Sequence, residues 1–518
     1  MSSRLNCGVV RVAGLGTALL IGGLIFALAG PAAAGDPLKF PAAPLETKKT
    51  AAGVVKSYDV AGRGKADFFT LEDDSGRITR IAYDTTGKGE PDEVVNLDEI
   101  PVAQARHVVF ILDGFGFEMV EALRQEGRLR MFYPPNRLIT TYPSMTDLAL
   151  SDAFRGPKCA GFEAVYYDRK AGKVVGGDSE YLAMKNAEWH VKLDFRLSSF
   201  WDAFCYLYPE SMLNKEFGEE LKLFDERKDP DLILYSIASA GMGTRLGRDG
   251  QHKTLEGCDR LFLELLWKTH GRVKFTMFAD HGHTLQREER VDFPKFLKEQ
   301  GWHVVDSLSK PRDVAVIEYG LVVYTAFATD DKPGLVATLV TNPGVDLVTY
   351  ADGQAAVVEK TDGKALIEKR GTQYRYRPLR GDPLELGPII EKMRADKVID
   401  AEGYAEDKVW FERTLVHKYP DPLYRVWRCF LGDMVTSPAD VIASLKENYY
   451  AGAYSRAFWL PYVASTHGDL AQKSSTPFIM SSISPVLPPG VGARHSDVPA
   501  IMERLTGRPW PPARQESK

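Results

Sequence analysis

The segment Val273-Lys-Phe-Thr-Met-Phe-Ala-Asp280-His281-Gly282-His283 decides the fold. Five of the six residues before Asp280 are apolar or β-favouring, so they predict a buried strand that delivers a carboxylate and an imidazole at its carboxyl end. Functional sites of open α/β sheets lie at such strand ends, and this pair of ligand types suits a borderline metal such as zinc. The alternative interpretation is a capping aspartate beside a surface histidine.

Three further segments carry related patterns. A second apolar strand ends in Asp-Gly and precedes a helical pattern, in Arg106-His-Val-Val-Phe-Ile-Leu-Asp113-Gly-Phe-Gly-Phe-Glu-Met-Val120. A short strand follows at Leu232-Ile-Leu-Tyr-Ser236. The last pattern is Thr466-His467-Gly468, followed by the strand Thr476-Pro-Phe-Ile-Met-Ser-Ser482 and a short helical segment before Leu505-Thr-Gly-Arg-Pro509. Their order and spacing are more specific than any one of them.

Together these segments resemble the alkaline phosphatase superfamily, in particular its type I phosphodiesterase/nucleotide pyrophosphatase branch, over residues 104–510. The resemblance implies a three-layer α/β/α domain in which two zinc ions clamp the attacking and leaving oxygens of phosphoryl transfer. It matches four residues of this chain to family metal ligands: Asp113, Asp280, His281 and His467.

The chain departs from the family at the second metal. Where the family has Asp-x-x-x-His-x-x-Gly, this sequence has Ala240-Gly-Met-Gly-Thr244-Arg-Leu-Gly247. Alanine cannot ligate, a neutral threonine is a poor zinc ligand, and the second metal would keep only His467. The resemblance therefore implies one divalent metal, zinc, on Asp113, Asp280 and His281.

The candidate nucleophile lies in Thr141-Tyr-Pro-Ser-Met-Thr146-Asp-Leu-Ala-Leu-Ser151-Asp152-Ala-Phe-Arg-Gly156, which resembles the family's Tyr-Pro-Ser-x-Thr segment. An ungapped match puts Asp152 at the hydroxyl position, and a slip of one residue makes Ser151 the nucleophile. Thr146 is the other hydroxyl, and the resemblance favours Ser151 over it. A hydroxyl needs a metal or a base to become nucleophilic, so the alternative is that Ser151 only begins a helix.

The chain has 518 residues and a net charge of −5. The pattern of residues 1–34 predicts a signal peptide, because Arg4 and Arg11 precede an apolar stretch and Ala32-Ala-Ala34 ends the segment. A retained membrane anchor is the alternative. Cleavage would make the protein periplasmic or secreted, with no membrane association afterwards. Its four remaining cysteines would then be disulfide-bonded or singly buried. No basic patch indicates a nucleic-acid partner.

Residues 35–52 read as a linker, and residues 53–100 as a β-rich two-fold repeat. Tyr58-Asp59-x-x-Gly62-x-Gly64-x-x-Asp67 recurs as Tyr83-Asp84-x-x-Gly87-x-Gly89-x-x-Asp92. The spacing resembles short calcium loops, but Arg63 and Lys88 stand where such loops want aspartate. We therefore favour hairpin turns held by side-chain to backbone hydrogen bonds over calcium sites.

The resemblance divides the rest into an alkaline phosphatase-like core, residues 104–320 and 450–510, and an inserted α+β cap, residues 321–449. Three functions remain open. The protein is a metal-dependent phosphoric ester (phosphodiester) hydrolase acting on a small molecule, an inactive relative that binds a ligand or partner, or a scaffold whose repeat carries the function. Ala240 and Thr244 argue against the hydrolase, and the four residues matched to family metal ligands argue against the scaffold.

Overall fold

The computed structural model describes residues 35–51, 53–460 and 462–513, without the side chains of Phe458 and Trp459. The predicted signal peptide lies outside the described residues. Within these ranges no helix is long and apolar enough to cross a membrane. The cysteines of this part of the chain are buried and free: Cys159, Cys205, Cys258 and Cys429.

The N-terminal region forms one five-stranded antiparallel sheet in the order β1-β2-β3-β4-β5. Its strands are β1 (Glu46–Thr50), β2 (Gly53–Tyr58), β3 (Phe68–Glu72), β4 (Ile78–Tyr83) and β5 (Glu93–Asn96). In the repeated turns, Asp59 accepts from the Gly64 backbone N–H, and Asp84 accepts from that of Gly89. These carboxylates hold backbone turns, as the hairpin interpretation predicts.

Within residues 35–52, which the composition predicts to be a linker, the segment around Phe40 packs against the rest of the protein. Phe40 is fully buried, and its ring lies 4.8 Å from that of Tyr58 and 5.8 Å from that of Phe68. The backbone N–H groups of Lys39 and Phe40 donate to Glu264. A single large aromatic residue anchors this segment, and a composition argument does not detect it.

The first part of the core runs from residue 106 to residue 290. Its strands are β6 (Arg106–Leu112), β7 (Asn136–Ile139), β8 (Val165–Asp168), β9 (Lys173–Gly176), β10 (Asp231–Ser236), β11 (Val273–Ala279) and β12 (Glu289–Arg290). Its helices are α1 (Phe117–Gln125), α2 (Thr146–Ala153), α3 (Asp178–Leu182), α4 (Ser199–Leu207), α5 (Pro209–Glu226) and α6 (Ala238–Lys268). Helix α6 is kinked at Gly247, which has a φ of 59°.

A second sheet follows, in the order β13-β14-β16-β22-β17-β18-β19-β20-β21. Its strands are β13 (His303–Val304), β14 (Asp313–Ile317), β16 (Tyr324–Thr329), β17 (Val345–Asp352), β18 (Ala355–Glu359), β19 (Lys364–Arg370), β20 (Gln373–Arg380), β21 (Tyr404–Glu406) and β22 (Val441–Leu445); β15 (Leu321–Val322) and β23 (Tyr449–Gly452) pair beside it. Its helices are α7 (Phe293–Glu299), α8 (Lys332–Leu339), α9 (Gly387–Ala395), α10 (Asp407–Thr414) and α11 (Pro422–Leu431). This α+β unit spans the region of the predicted cap and already begins at β13.

The last part of the chain returns to the core. It contributes α12 (Tyr454–Trp459), α13 (Gln472–Ser475), β24 (Phe478–Ser481), β25 (Ala493–Arg494) and α14 (Val498–Thr506). The central sheet has the order β10-β6-β11-β24-β7-β25. Strands β10, β6 and β11 are parallel, and β24 is antiparallel to both of its neighbours. The structure thus confirms the predicted α/β class.

The central strands are buried and mostly apolar because both of their faces are covered. On one face, the ring of Phe262 in α6 lies 5.6 Å from Phe110 of β6 and 4.8 Å from Phe275 of β11. Helices α4, α5 and α6 pack together, while α2 packs with α14. These two helix groups agree with a three-layer core.

Ion pairs join the second sheet unit to the core. Arg494, at the end of β25, donates to both carboxylate oxygens of Asp407 and of Asp421. Its guanidinium also lies 3.7 Å from the ring centroid of Tyr424. Tyr142 of the core shares a buried 2.9 Å hydrogen bond with Thr349 of β17. The inserted unit is therefore fixed to the core loops beside the central sheet.

We predict that Phe40→Ala destabilises the whole protein. Truncating a fully buried phenylalanine typically costs about 3–5 kcal/mol of unfolding free energy, whereas Leu45→Ala, at a residue 59% exposed, is expected to cost less than ~0.5 kcal/mol. Denaturant unfolding of the two variants measures the difference. Equal stabilities would mean that the segment before β1 behaves as a linker after all.

Candidate metal and catalytic centre

The register of two parallel strands brings two aspartates together. Leu112 of β6 lies opposite Ala279 of β11, so the next residues, Asp113 and Asp280, leave the sheet side by side. Gly114 turns the chain with a φ of 78°, and its backbone N–H donates to Asp280 Oδ1 at 3.0 Å. A side chain there would collide with His283, because a Cβ would lie 2.3 Å from His283 Nε2.

Asp113, Asp280 and His281 form a group whose ligand atoms all lie within 4.8 Å of one another. It is the one such metal-type group in the described ranges. His281 Nε2 lies 3.6 Å from Asp113 Oδ1 and 3.4 Å from Asp280 Oδ2. His281 Nδ1 donates to the Gly282 carbonyl, which leaves the lone pair on Nε2, toward the carboxylates. Asp280 Oδ2 is buried and has no hydrogen-bond partner in the structure as described.

The electrostatics of this group favour a cation. Burial, together with the charge of Asp280, raises the pKa of Asp113 well above its usual range. Burial also raises the pKa of Asp280, although backbone N–H donors offset part of the shift. Burial lowers the pKa of His281 to about 3, so the imidazole is neutral, as metal ligation requires. A divalent ion would balance both carboxylates at once.

Two residues that the sequence analysis did not single out support Asp113. Tyr235, on β10, donates a short hydrogen bond to Asp113 Oδ2. Ser239, in the first turn of α6, accepts from the Asp113 backbone N–H at 2.8 Å and donates to its carbonyl at 3.1 Å. Tyr235 lies in the predicted strand Leu232–Ser236, and Ser239 follows just after it. Nothing in a strand pattern, however, indicates which side chain faces the neighbouring aspartate.

The two candidate hydroxyls occupy different places. The Thr146 hydroxyl, at the start of α2, lies 3.3 Å from His281 Nε2. Ser151, one and a half turns further along α2, lies 3.3 Å from the Cys159 sulfur through its Oγ. Of this pair the structure brings Thr146 to the cluster. The residues of α2 by themselves do not indicate which end of the helix faces the cluster, so the sequence alone did not favour Thr146.

His467 lies beside the cluster but outside the group of three. Its ring stacks on that of His281, with centroids 3.6 Å apart, and its Nδ1 donates to the Ser144 carbonyl at 2.8 Å. His283, which the sequence analysis left without a role, lies 5.6 Å from His467 by ring centroids. It shares a 3.1 Å hydrogen bond with Ser465.

The two positions that the resemblance assigns to a second metal are buried at the start of α6. Ala240 is 3% exposed and Thr244 is 5% exposed. The Thr244 carbonyl accepts from the backbone N–H of Ala464, close to His467 in the chain. Ala240 offers a methyl group and Thr244 a neutral hydroxyl, so neither supplies the charged or imidazole ligand that a second ion would need.

No protein-family model matches the chain, and no curated protein matches its sequence. Two similar solved structures are crystal structures of phosphonoacetate hydrolase from Sinorhizobium meliloti 1021, in complex with phosphonoformate and with phosphonoacetate. Their identities to this chain are 13% and 12%, and both have a TM-score of 0.42. Each match covers 82% of this chain and 99% of the hydrolase. A likeness this distant carries no argument about activity.

We predict that Asp280→Asn abolishes tight binding of a divalent ion without lowering the melting temperature of the metal-free protein. The substitution removes a ligand charge, and it also removes the repulsion between two buried carboxylates. We expect metal affinity to fall by more than about 100-fold, beyond the effect typical of outer-shell changes. Metal analysis and calorimetric titration with zinc measure this.

Asp202→Asn is the matched control for that experiment. Asp202 is also buried, but it pairs with Arg196 and Tyr181. This variant should keep one metal per chain. A second tightly bound ion in the unmodified protein, or unchanged zinc affinity in Asp280→Asn, would contradict the assignment of the three ligands.

Proposed function

We propose that this protein is a hydrolase of small-molecule phosphoric esters, related to the alkaline phosphatase superfamily, that works with one divalent metal ion. One observation carries the proposal. The buried, unpartnered Asp280 Oδ2 faces a neutral imidazole nitrogen and a second carboxylate, with the Thr146 hydroxyl in reach of the same atoms. A ligand set and a hydroxyl in one place are the parts that phosphoryl transfer requires.

The donor set fits the proposed metal. Two carboxylates and one imidazole give three protein ligands, the number typical of a catalytic zinc that keeps a position open. The ion would stabilise negative charge on a phosphoryl oxygen and lower the pKa of a bound hydroxyl. Tyr235 and Ser239 orient Asp113, while the backbone N–H groups of Gly114 and His281 orient Asp280.

We assign the nucleophile to Thr146 rather than to Ser151. Thr146 is partly exposed, so a substrate can reach its hydroxyl, whereas Ser151 is buried beside Cys159. Thr146 also begins the eight-residue helix α2. The free backbone N–H groups of a helix N-terminus favour a negatively charged phosphoryl group at that end.

A second interpretation has a specific observation behind it. Ala240 and Thr244 leave His467 without partner ligands for a second ion, and a missing ion removes charge stabilisation of several kcal/mol at one reacting oxygen. We therefore expect slow turnover of generic substrates. An inactive protein that binds phosphoesters through the same site is the runner-up, and it predicts saturable binding without product.

We also propose that the protein is exported after cleavage near residue 34. This proposal is supported by residues 1–34, which have basic residues, then an apolar stretch, and end in Ala32-Ala-Ala34. N-terminal sequencing of protein recovered from the extracytoplasmic fraction tests the cleavage. An uncleaved chain in the membrane fraction would favour the anchor interpretation.

We predict that Thr146→Ala abolishes hydrolysis of bis-p-nitrophenyl phosphate and p-nitrophenyl phosphate while zinc still binds. Loss of a nucleophile typically costs several orders of magnitude, so we expect at least a ~1,000-fold fall in kcat. Ser151→Ala is the control, with activity close to that of the unmodified protein. Activity that survives Thr146→Ala but is lost in Ser151→Ala would return the role to Ser151. Zinc binding without turnover in the unmodified protein would favour the inactive interpretation.

A further inference from the structure

Two loops beside the metal ligands are joined to each other. The first loop, residues 140–145, leads to Thr146 at the start of α2. The second, residues 466–475, carries His467 and ends in the short helix α13. The Ser144 backbone N–H donates to the Gly468 carbonyl at 3.3 Å, and the Ser144 hydroxyl donates to the Asp469 carbonyl at 2.8 Å. The Ser144 carbonyl accepts from His467 Nδ1. The position of His467 relative to Thr146 therefore depends on how these loops are held.

A single side chain from the inserted unit binds both loops. Arg425, on α11, is 2% exposed. Its two terminal nitrogens donate to five acceptors: the carbonyls of Pro420 (3.0 Å), Leu470 (3.2 Å) and Thr141 (2.8 Å), and the hydroxyls of Ser144 (3.3 Å) and Ser475 (2.7 Å). Apart from Pro420, which lies beside α11, every acceptor belongs to one of the two loops.

The burial of this guanidinium is costly for the fold. Burial lowers the pKa of Arg425 to about 10, so it still carries its charge at neutral pH. A buried ionic group contributes little to stability in comparison with apolar residues of the same size. Its planar, divergent donors do, however, fix several acceptors in one geometry. Arg425 therefore fixes the geometry of the two loops more than it stabilises the fold by packing.

We propose that Arg425 is a positioning residue of the hydrolytic site, through which the inserted unit sets the places of Thr146 and His467. This inference rests on the proposed function. The ligand group of Asp113, Asp280 and His281 follows β6 and β11 and receives no hydrogen bond from Arg425 among the described contacts. Loss of Arg425 should therefore separate catalysis from metal binding, since only the loops are released.

The test compares Arg425→Met with Arg124→Met. Arg124 is also buried, burial also lowers its pKa to about 10, and it also donates to backbone carbonyls, those of Leu129 and Phe132. It contacts neither loop through these bonds. Both variants lose one buried guanidinium, so they control for the general effect on stability.

We predict that Arg425→Met keeps the zinc stoichiometry and affinity of the unmodified protein while kcat falls by about 100-fold, the effect of a displacement near 1 Å. Arg124→Met should keep both when assayed well below its melting temperature. The proposal is overturned if Arg425→Met retains its kcat, or if its metal affinity falls together with its kcat, as general destabilisation of the fold would produce.

A second measurement does not need activity. In metal-free protein, hydrogen exchange at the Ser144 amide should become at least about tenfold faster in Arg425→Met, as expected from loss of a supporting hydrogen bond, with β6 and β11 amides unchanged. If the unmodified protein neither binds zinc nor hydrolyses esters, the proposed function fails, and this exchange still decides whether Arg425 holds the loops. Should Arg425→Met not fold, Ser475→Ala, which removes one contact, gives the same comparison, and unchanged exchange there counts against the proposal.

Discussion

The structure depends on the parallel pairing of β6 with β11 in one register. Because Leu112 lies opposite Ala279, the aspartates that follow leave the sheet together, and both are buried. Two adjacent buried carboxylates repel each other and are poorly solvated. The surrounding features follow from this: a glycine that gives its N–H to one carboxylate, a tyrosine that gives its hydroxyl to the other, and an imidazole kept neutral between them.

Much of this strand arrangement can be predicted from the sequence. An apolar run ending in Asp-Gly, and another ending in Asp-His-Gly, predict two buried strands with candidate site residues at their carboxyl ends. The structure has both strands and pairs them in parallel, and it places Asp113 and Asp280 close together. The α/β class follows from the same two strands. These predictions succeed because burial on both faces demands a continuous apolar segment, which is a property of the strand itself.

What the sequence does not specify is set by contacts between distant segments. The composition of residues 35–52 predicts a linker, yet the burial of Phe40 anchors the segment around it on the rest of the protein. The choice between Thr146 and Ser151 depends on which end of α2 faces β11, and the residues of α2 do not encode that direction. In the sequence, Tyr235 is an ordinary strand residue and Arg425 an ordinary helix residue. Only the fold brings Asp113 to Tyr235 and the two loops to Arg425. Local sequence patterns predict helices and strands, whereas the contact partners of a side chain depend on the assembled fold.

The inserted unit also helps to keep the proposed one-metal site ordered. Its ties to the core, Arg494 on Asp407 and Asp421 and Arg425 on the two loops, lie beside the cluster but outside the ligand set. The loop geometry therefore does not require a second ion at Ala240 and Thr244, since protein groups hold the loops. Under the proposed function, a one-metal site can keep an ordered nucleophile because protein groups hold the loops that carry Thr146 and His467. The order of these loops is the physical reason to expect the proposed chemistry at this site.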